Sequence, residues 1–196
     1  VEVGILQDML DKKLIDGKFD VIAGISAGGL NAAYLSYGDN IKDNIDELDY
    51  ADAINKYGSD KPDLRIPLEL IEISDEAKKE EFKVFSDPAK NDGSRVVALK
   101  VDGGNKLTRS QIDEYTNFVG KLGAKGLAYI KINDTSDIED GLQSPILKFL
   151  SKDFITDLFS KLKPVDDDLI FFGAGPSEVV NLSMSSLIER LGKDLD

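Results

Sequence analysis

Two periods alternate along the first stretch of the chain. Ile5, Leu6, Met9, Leu10 and Leu14 recur at helical spacing, residues 19–23 make a short apolar run suited to a strand, and residues 30–35 suit a second helix. The pattern then fails. Residues 39–49 mix charges with asparagine and keep only Ile41, Ile45 and Leu48 apolar, which marks them as a junction. Beyond it the spacing predicts a helix over 51–57 ended by Gly58, and then an extended or turning segment held by Pro62 and Pro67. Strands are predicted at 68–73, 82–85, 95–101, 127–132 and 169–172, and helices over 110–122, 145–162 and 177–191.

Local signals support some of these starts. Thr108 and Gln111 stand at capping-box spacing before the 110–122 helix, and Ser144-Pro145 places a cap donor ahead of a first-turn proline. The order of elements implies a sheet covered by helices, either α/β or α+β. Phe154, Phe159, Phe171 and Phe172 read as core rather than as a platform for stacked bases.

Composition narrows the chemistry. The 196 residues contain no His, Cys or Trp, so a Ser-His-Asp triad, a His-ligated zinc, a Cys nucleophile and a disulfide framework are all excluded. Acid-base chemistry is left to carboxylates, lysines, tyrosines or water. With 24 Lys+Arg against 37 Asp+Glu the net charge is −13, and residues 1–47 and 48–196 are each acidic. General attraction to nucleic acid or anionic lipid is therefore not expected. The longest uncharged run, residues 21–38, approaches the length of a membrane span, but it carries Gly24, Ser26, Gly28, Gly29, Asn31 and Ser36 and reads as soluble. The first residues lack the charged-then-apolar order of a secretory leader, and together with the missing cysteines this sets the expectation of a cytoplasmic protein.

One short motif carries chemistry. Gly24-Ile25-Ser26-Ala27-Gly28 lies between a predicted strand and a predicted helix, the placement of a nucleophile elbow, in which glycines two positions either side of the serine leave room for the turn. Without histidine only a Ser-Asp dyad could serve it. The stretch from Gly4 to Ala33, with Phe19-Asp20-Val21-Ile22-Ala23 leading into the elbow, resembles the nucleophile region of patatin-like phospholipases. That resemblance implies Ser26 as an acyl-accepting nucleophile and an Asp-Gly-Gly turn for the partner, letters that Asp102-Gly103-Gly104 supply. The position of Asp102 between the 95–101 strand and the cap at Thr108 is also that of a plain tight turn, and this is the reading preferred for it. The family's oxyanion loop would precede the first helix, and loss of such donors alone costs about 10²–10³ in rate.

From about residue 48 onward a longer resemblance appears. Tyr50-Ala51-Asp52-Ala53, Tyr57-Gly58-Ser59-Asp60-Lys61-Pro62-Asp63-Leu64-Arg65, Phe82-Lys83-Val84-Phe85, Gln111-Ile112-Asp113-Glu114-Tyr115, Gly123-Ala124-Lys125-Gly126-Leu127-Ala128-Tyr129-Ile130-Lys131, Ser144-Pro145, Phe171-Phe172-Gly173-Ala174 and Leu191-Gly192-Lys193-Asp194-Leu195 follow one another as in bacterial-type aspartyl-tRNA synthetase. Together the two resemblances imply an α+β organisation: a patatin-like α-β-α fragment at 1–38, a junction at 39–49, a synthetase catalytic-domain segment at 50–80, a GAD-like insertion domain at 81–180, and a helix at 181–196 returning toward the synthetase core. The longer one implies a fragment of an aspartate-tRNA ligase with a role in translation. Ser26, with Asp102 as its partner, carries the alternative of a lipid acyl hydrolase.

The synthetase resemblance places the arginines that hold ATP, the aspartate-binding residues and the anticodon-binding barrel outside this stretch. The isolated chain is therefore expected not to charge tRNA and to hold no cofactor or metal, while ATP and magnesium belong to the full-length family member. tRNA(Asp) would be met through that enzyme, which is usually a homodimer, and no independent nucleic-acid binding is expected. Lys61 and Arg65 read as solvated or paired with Asp60 and Asp63. Lys121, Lys125 and Lys131 form the one modest basic stretch, weak for backbone contact because acids surround it. Asp166-Asp167-Asp168 lacks the ligand spacing of a calcium loop and reads as a polar turn before a strand.

Overall fold

A computed structural model describes residues 48–138 and 140–195. The chain divides between Glu47 and Leu48, and the described residues fall in the second unit; the 1–38 and 39–47 readings, Ser26 among them, lie outside them. In order, the elements are α1 (Tyr50–Tyr57), β1 (Leu70–Glu72), α2 (Ser74–Ala77), α3 (Lys83–Lys90), β2 (Ser94–Val101), α4 (Arg109–Gly120), β3 (Ala128–Ile132), β4 (Leu142–Gln143), α5 (Lys152–Leu162), β5 (Leu169–Pro176) and α6 (Ser177–Leu195). Short 3₁₀ turns stand at Gly104–Lys106 and Leu147–Phe149. The fold is α+β.

All strands pair antiparallel, in the order β1-β2-β5-β3-β4. The central pair β2 and β5 is matched over its full length, from Ser94 opposite Pro176 to Val101 opposite Leu169. Side chains alternate between faces along a strand, and here both faces are covered. Val97, Leu99, Val101, Leu169 and Phe171 join Ile112, Tyr115 and Val119 of α4 and Met184, Leu187 and Leu191 of α6 in one cluster. Val96, Ala98, Ile130, Ile170 and Phe172 join Phe85 of α3 and Phe154, Ile155 and Leu158 of α5 in the other. An antiparallel sheet with one wet face reads as alternating apolar and polar. Double coverage is why 95–101 and 169–172 read as nearly continuous apolar runs.

Caps fix the helix starts. Asp49 accepts the Ala51 N–H at 3.1 Å and begins α1. The capping box at Thr108 forms as expected, with the Gln111 N–H on Thr108 Oγ1 at 3.3 Å and the Thr108 N–H on Gln111 Oε1 at 2.9 Å; such a cap contributes about 1 kcal/mol.

Two expectations are corrected. Residues 82–85, predicted as a strand, lead into helix α3. Four residues are too few to separate the two periods, and Phe85 and Ala89, four apart, both turn into the core from a helix. The predicted helix over 145–162 is a 3₁₀ turn followed by α5, whose cap is Ser151, accepting the Phe154 N–H at 3.1 Å. Ser144 instead donates its hydroxyl to the Tyr129 carbonyl and accepts the Ile146 N–H. With Pro145 next in sequence, pairing along β3 ends there. The small elements β4 and α2 were not anticipated.

Candidate functional site

Asp102 sits in the turn that follows β2, its side chain 80% exposed and paired with Lys100 Nζ at 2.7 Å. This pairing raises the Lys100 pKa despite partial burial. Its proposed partner Ser26 is outside the described residues. Of the acidic run, Asp168 is buried: its carboxylate accepts the Val165 N–H at 2.8 Å and the Gly103 N–H at 3.1 Å and stands 3.7 Å from Lys100 Nζ. Asp166 accepts both the backbone and hydroxyl hydrogens of Thr135, and Asp167 adopts φ 70°. The run is a turn that ties three loops at one end of the sheet. Among the described residues no group of three or more His, Cys, Asp or Glu could hold a metal ion.

The basic residues divide similarly. Lys131 Nζ donates to the carbonyls of Asn105 (2.7 Å) and Leu107 (2.6 Å), so its charge holds the 3₁₀ turn rather than facing solvent. Lys121 and Lys125 are exposed. Arg65 grips Asp63 with two nitrogens at 2.8 and 2.6 Å, and these bonds bring the Asp63 pKa down to about 2. Lys61 is exposed beside Ser59.

Two sites went unread in the sequence. The first is Arg95, whose side chain is 8% exposed at the start of β2. Its guanidinium donates to Glu72 of β1 at 2.9 Å, to Asn181 of α6 at 2.8 Å, and to the carbonyls of Ile54 and Asn55 at 3.3 and 3.0 Å. Those carbonyls end α1, where the helix dipole favours a cation. Close packing supports the same joint. Gly58, at φ 69°, ends α1, and a Cβ there would lie 2.6 Å from the Asn181 carbonyl oxygen. A Cβ on Gly192 of α6 would lie 2.5 Å from Ile66. The stretch from α1 to Ile66 is thus seated on the last helix.

The second is a groove of about 490 Å³ between the turn after α2 and the start of α5. Glu80, buried at its base, accepts both the backbone and hydroxyl hydrogens of Ser151, at 2.9 and 2.6 Å. Phe149 stands 51% exposed at its lip. No short-range pattern announces either site, because the partners lie far apart in sequence: 86 residues separate Arg95 from Asn181 and 71 separate Glu80 from Ser151.

Among the described residues the buried charged groups, Glu80, Arg95 and Asp168, all hold elements together. Such an arrangement builds a rigid support and a groove. In comparison with known families, the model of the GAD domain fits residues 85–184, just over half of the chain. The match is consistent with the GAD insertion domain of aspartyl-tRNA synthetase-like proteins.

Proposed function

The chain belongs to the GAD domain family, and from that premise we propose that residues 48–196 are the GAD-bearing segment of an aspartate-tRNA ligase, a non-catalytic module that serves tRNA(Asp) aminoacylation through the whole enzyme. One observation carries the reading. The stretches on either side of the matched one, 50–66 and 191–195, meet where Ile66 packs on Gly192, while Gly58 against Asn181 and the Arg95 bonds to Ile54, Asn55 and Asn181 seat the first of them on the matched domain itself. An inserted module needs such a joint, because the chain must leave and rejoin its host at one place. A cytoplasmic location and a homodimeric host go with this reading.

ATP and magnesium are what the ligase reaction uses. The groove beside α5 is lined by five carboxylates against two lysines, and this balance opposes a polyphosphate. In this reading both belong to the host's catalytic parts.

A chimera tests the proposal. Residues 50–195 would replace the corresponding segment of a bacterial aspartyl-tRNA synthetase, and aspartylation of tRNA(Asp) would be measured beside aspartate-dependent ATP–pyrophosphate exchange by the chain alone. The expected result is a chimera that aspartylates and a lone chain with no exchange. A folded chimera without aspartylation, or exchange by the lone chain, would overturn it.

A further inference from the structure

The groove beside α5 has a chemistry that the ligase reading leaves unused. Phe149 is held at its lip by a parallel stack on Phe82, with centroids 5.3 Å apart and an interplanar angle of 2°. The ring is therefore presented rather than loose. Lys148 lies over this ring at 4.8 Å, so the ring offers a partner its exposed edge.

Most of the charges lining the groove are answered within the fold. Glu76 meets Lys161 Nζ at 2.8 Å, Asp157 meets Lys79 at 3.9 Å, and Glu80 is taken by Ser151. Glu81 and Asp153, both exposed, have no ion-pair or hydrogen-bond partner for their side chains among the described residues. One concavity thus combines a fixed aromatic surface with two unanswered carboxylates and an overall excess of negative charge.

We propose that this groove docks a segment of a partner protein that carries basic side chains beside an apolar one. An arginine can reach a carboxylate in bidentate fashion while the apolar stem of its side chain lies along the exposed edge of the ring. The apolar neighbour would cover the exposed edge of Phe149 and the partly buried Leu150. A nucleic acid brings phosphates to the same carboxylates and is repelled. Charge complementarity therefore selects a basic peptide over RNA, and the proposal stands whether or not the host is a ligase.

The probe is a fluorescent peptide, acetyl-Leu-Arg-Lys-Leu-Arg-amide, titrated with the full chain by anisotropy at low salt, beside a counterpart with glutamine at the three basic positions. Saturable binding of the basic peptide alone is expected. The double substitution Glu81→Lys/Asp153→Lys should weaken it about tenfold or more, and Phe149→Ser, which leaves the carboxylates in place, by roughly fivefold. Glu178→Lys/Glu189→Lys on α6, the same charge change on the opposite face, should leave it unchanged. Absence of saturable binding, equal loss from the α6 pair, or displacement of the peptide by a twelve-nucleotide RNA would each overturn the proposal.

Discussion

The two faces of the sheet are built by different means. On one, α4 (12 residues) and α6 (19 residues) lie over the strands, with starts marked by a capping box and by the direct passage from β5. On the other, α2 (4 residues) and α3 (8 residues) combine with α5, and the packing centres on Phe85, whose ring lies 5.1, 5.2 and 6.1 Å from those of Phe82, Phe172 and Phe154. A helix as short as α2 or α3 is not stable alone in water, because nucleation costs more than its few hydrogen bonds return. That face therefore takes its local structure from its aromatic contacts, whereas α4 carries its own instructions.

The strongest way to break this contrast is Phe85→Ala. The side chain is 1% exposed, and its loss should cost about 3–5 kcal/mol in urea unfolding. Hydrogen exchange adds a sharper readout. Amides of α2 and α3 should lose protection well before those of α4. Equal loss across both faces would show one cooperative unit and reduce the contrast to a property of the sequence.

A smaller effect is expected from Arg95→Met, which keeps the length of the stem and removes the donors. Glu72 is half exposed and can be solvated, and the Ile54 carbonyl keeps the Gly58 N–H, so the cost is set mainly by the Asn55 carbonyl and Asn181, which lose their donor, about 2–3 kcal/mol. The amides of α1 should exchange first, with the sheet protected. A change below about 0.5 kcal/mol, within the range of ordinary surface substitutions, would show that the Gly58 and Gly192 contacts hold α1 without the charge.

The same contrast explains what the sequence disclosed. Val96 to Val101 and Leu169 to Phe172 were readable because burial on both faces removes polar interruptions, and Thr108 with Gln111 because a capping box is complete within four residues. Phe82 to Phe85 misled because a helix that rests on aromatic contacts leaves no periodic trace in so short a window. At Ser144 a serine-proline pair looked like a helix start, but Ser151, whose N–H and hydroxyl are both engaged by Glu80, holds the cap. The resemblance to a GAD-bearing protein was legible in scattered blocks; the joint at Arg95 and the groove at Phe149 were not, since each is assembled from residues dozens of positions apart.

The subtlest test concerns Tyr115, which joins α4 to α6. It is 3% exposed and donates its hydroxyl to Asp194 at 3.0 Å. Burial first, then this bond to a carboxylate, push its pKa up to about 12, with the nearby Arg190 working in the opposite direction. An ordinary tyrosine ionises near pH 10. A folded pKa above the unfolded one means that the fold favours the neutral phenol; the associated stability is complete below about pH 10 and drains away as pH rises through about 12. The tyrosinate absorbance of the wild type minus that of Tyr115→Phe should show one group titrating near 12. In Asp194→Asn the midpoint should fall without reaching 10, because burial, the larger cause, persists. A midpoint already at 10 in the wild type would mean that α4 and α6 part readily at this end, and the helix-covered face would then be the looser of the two.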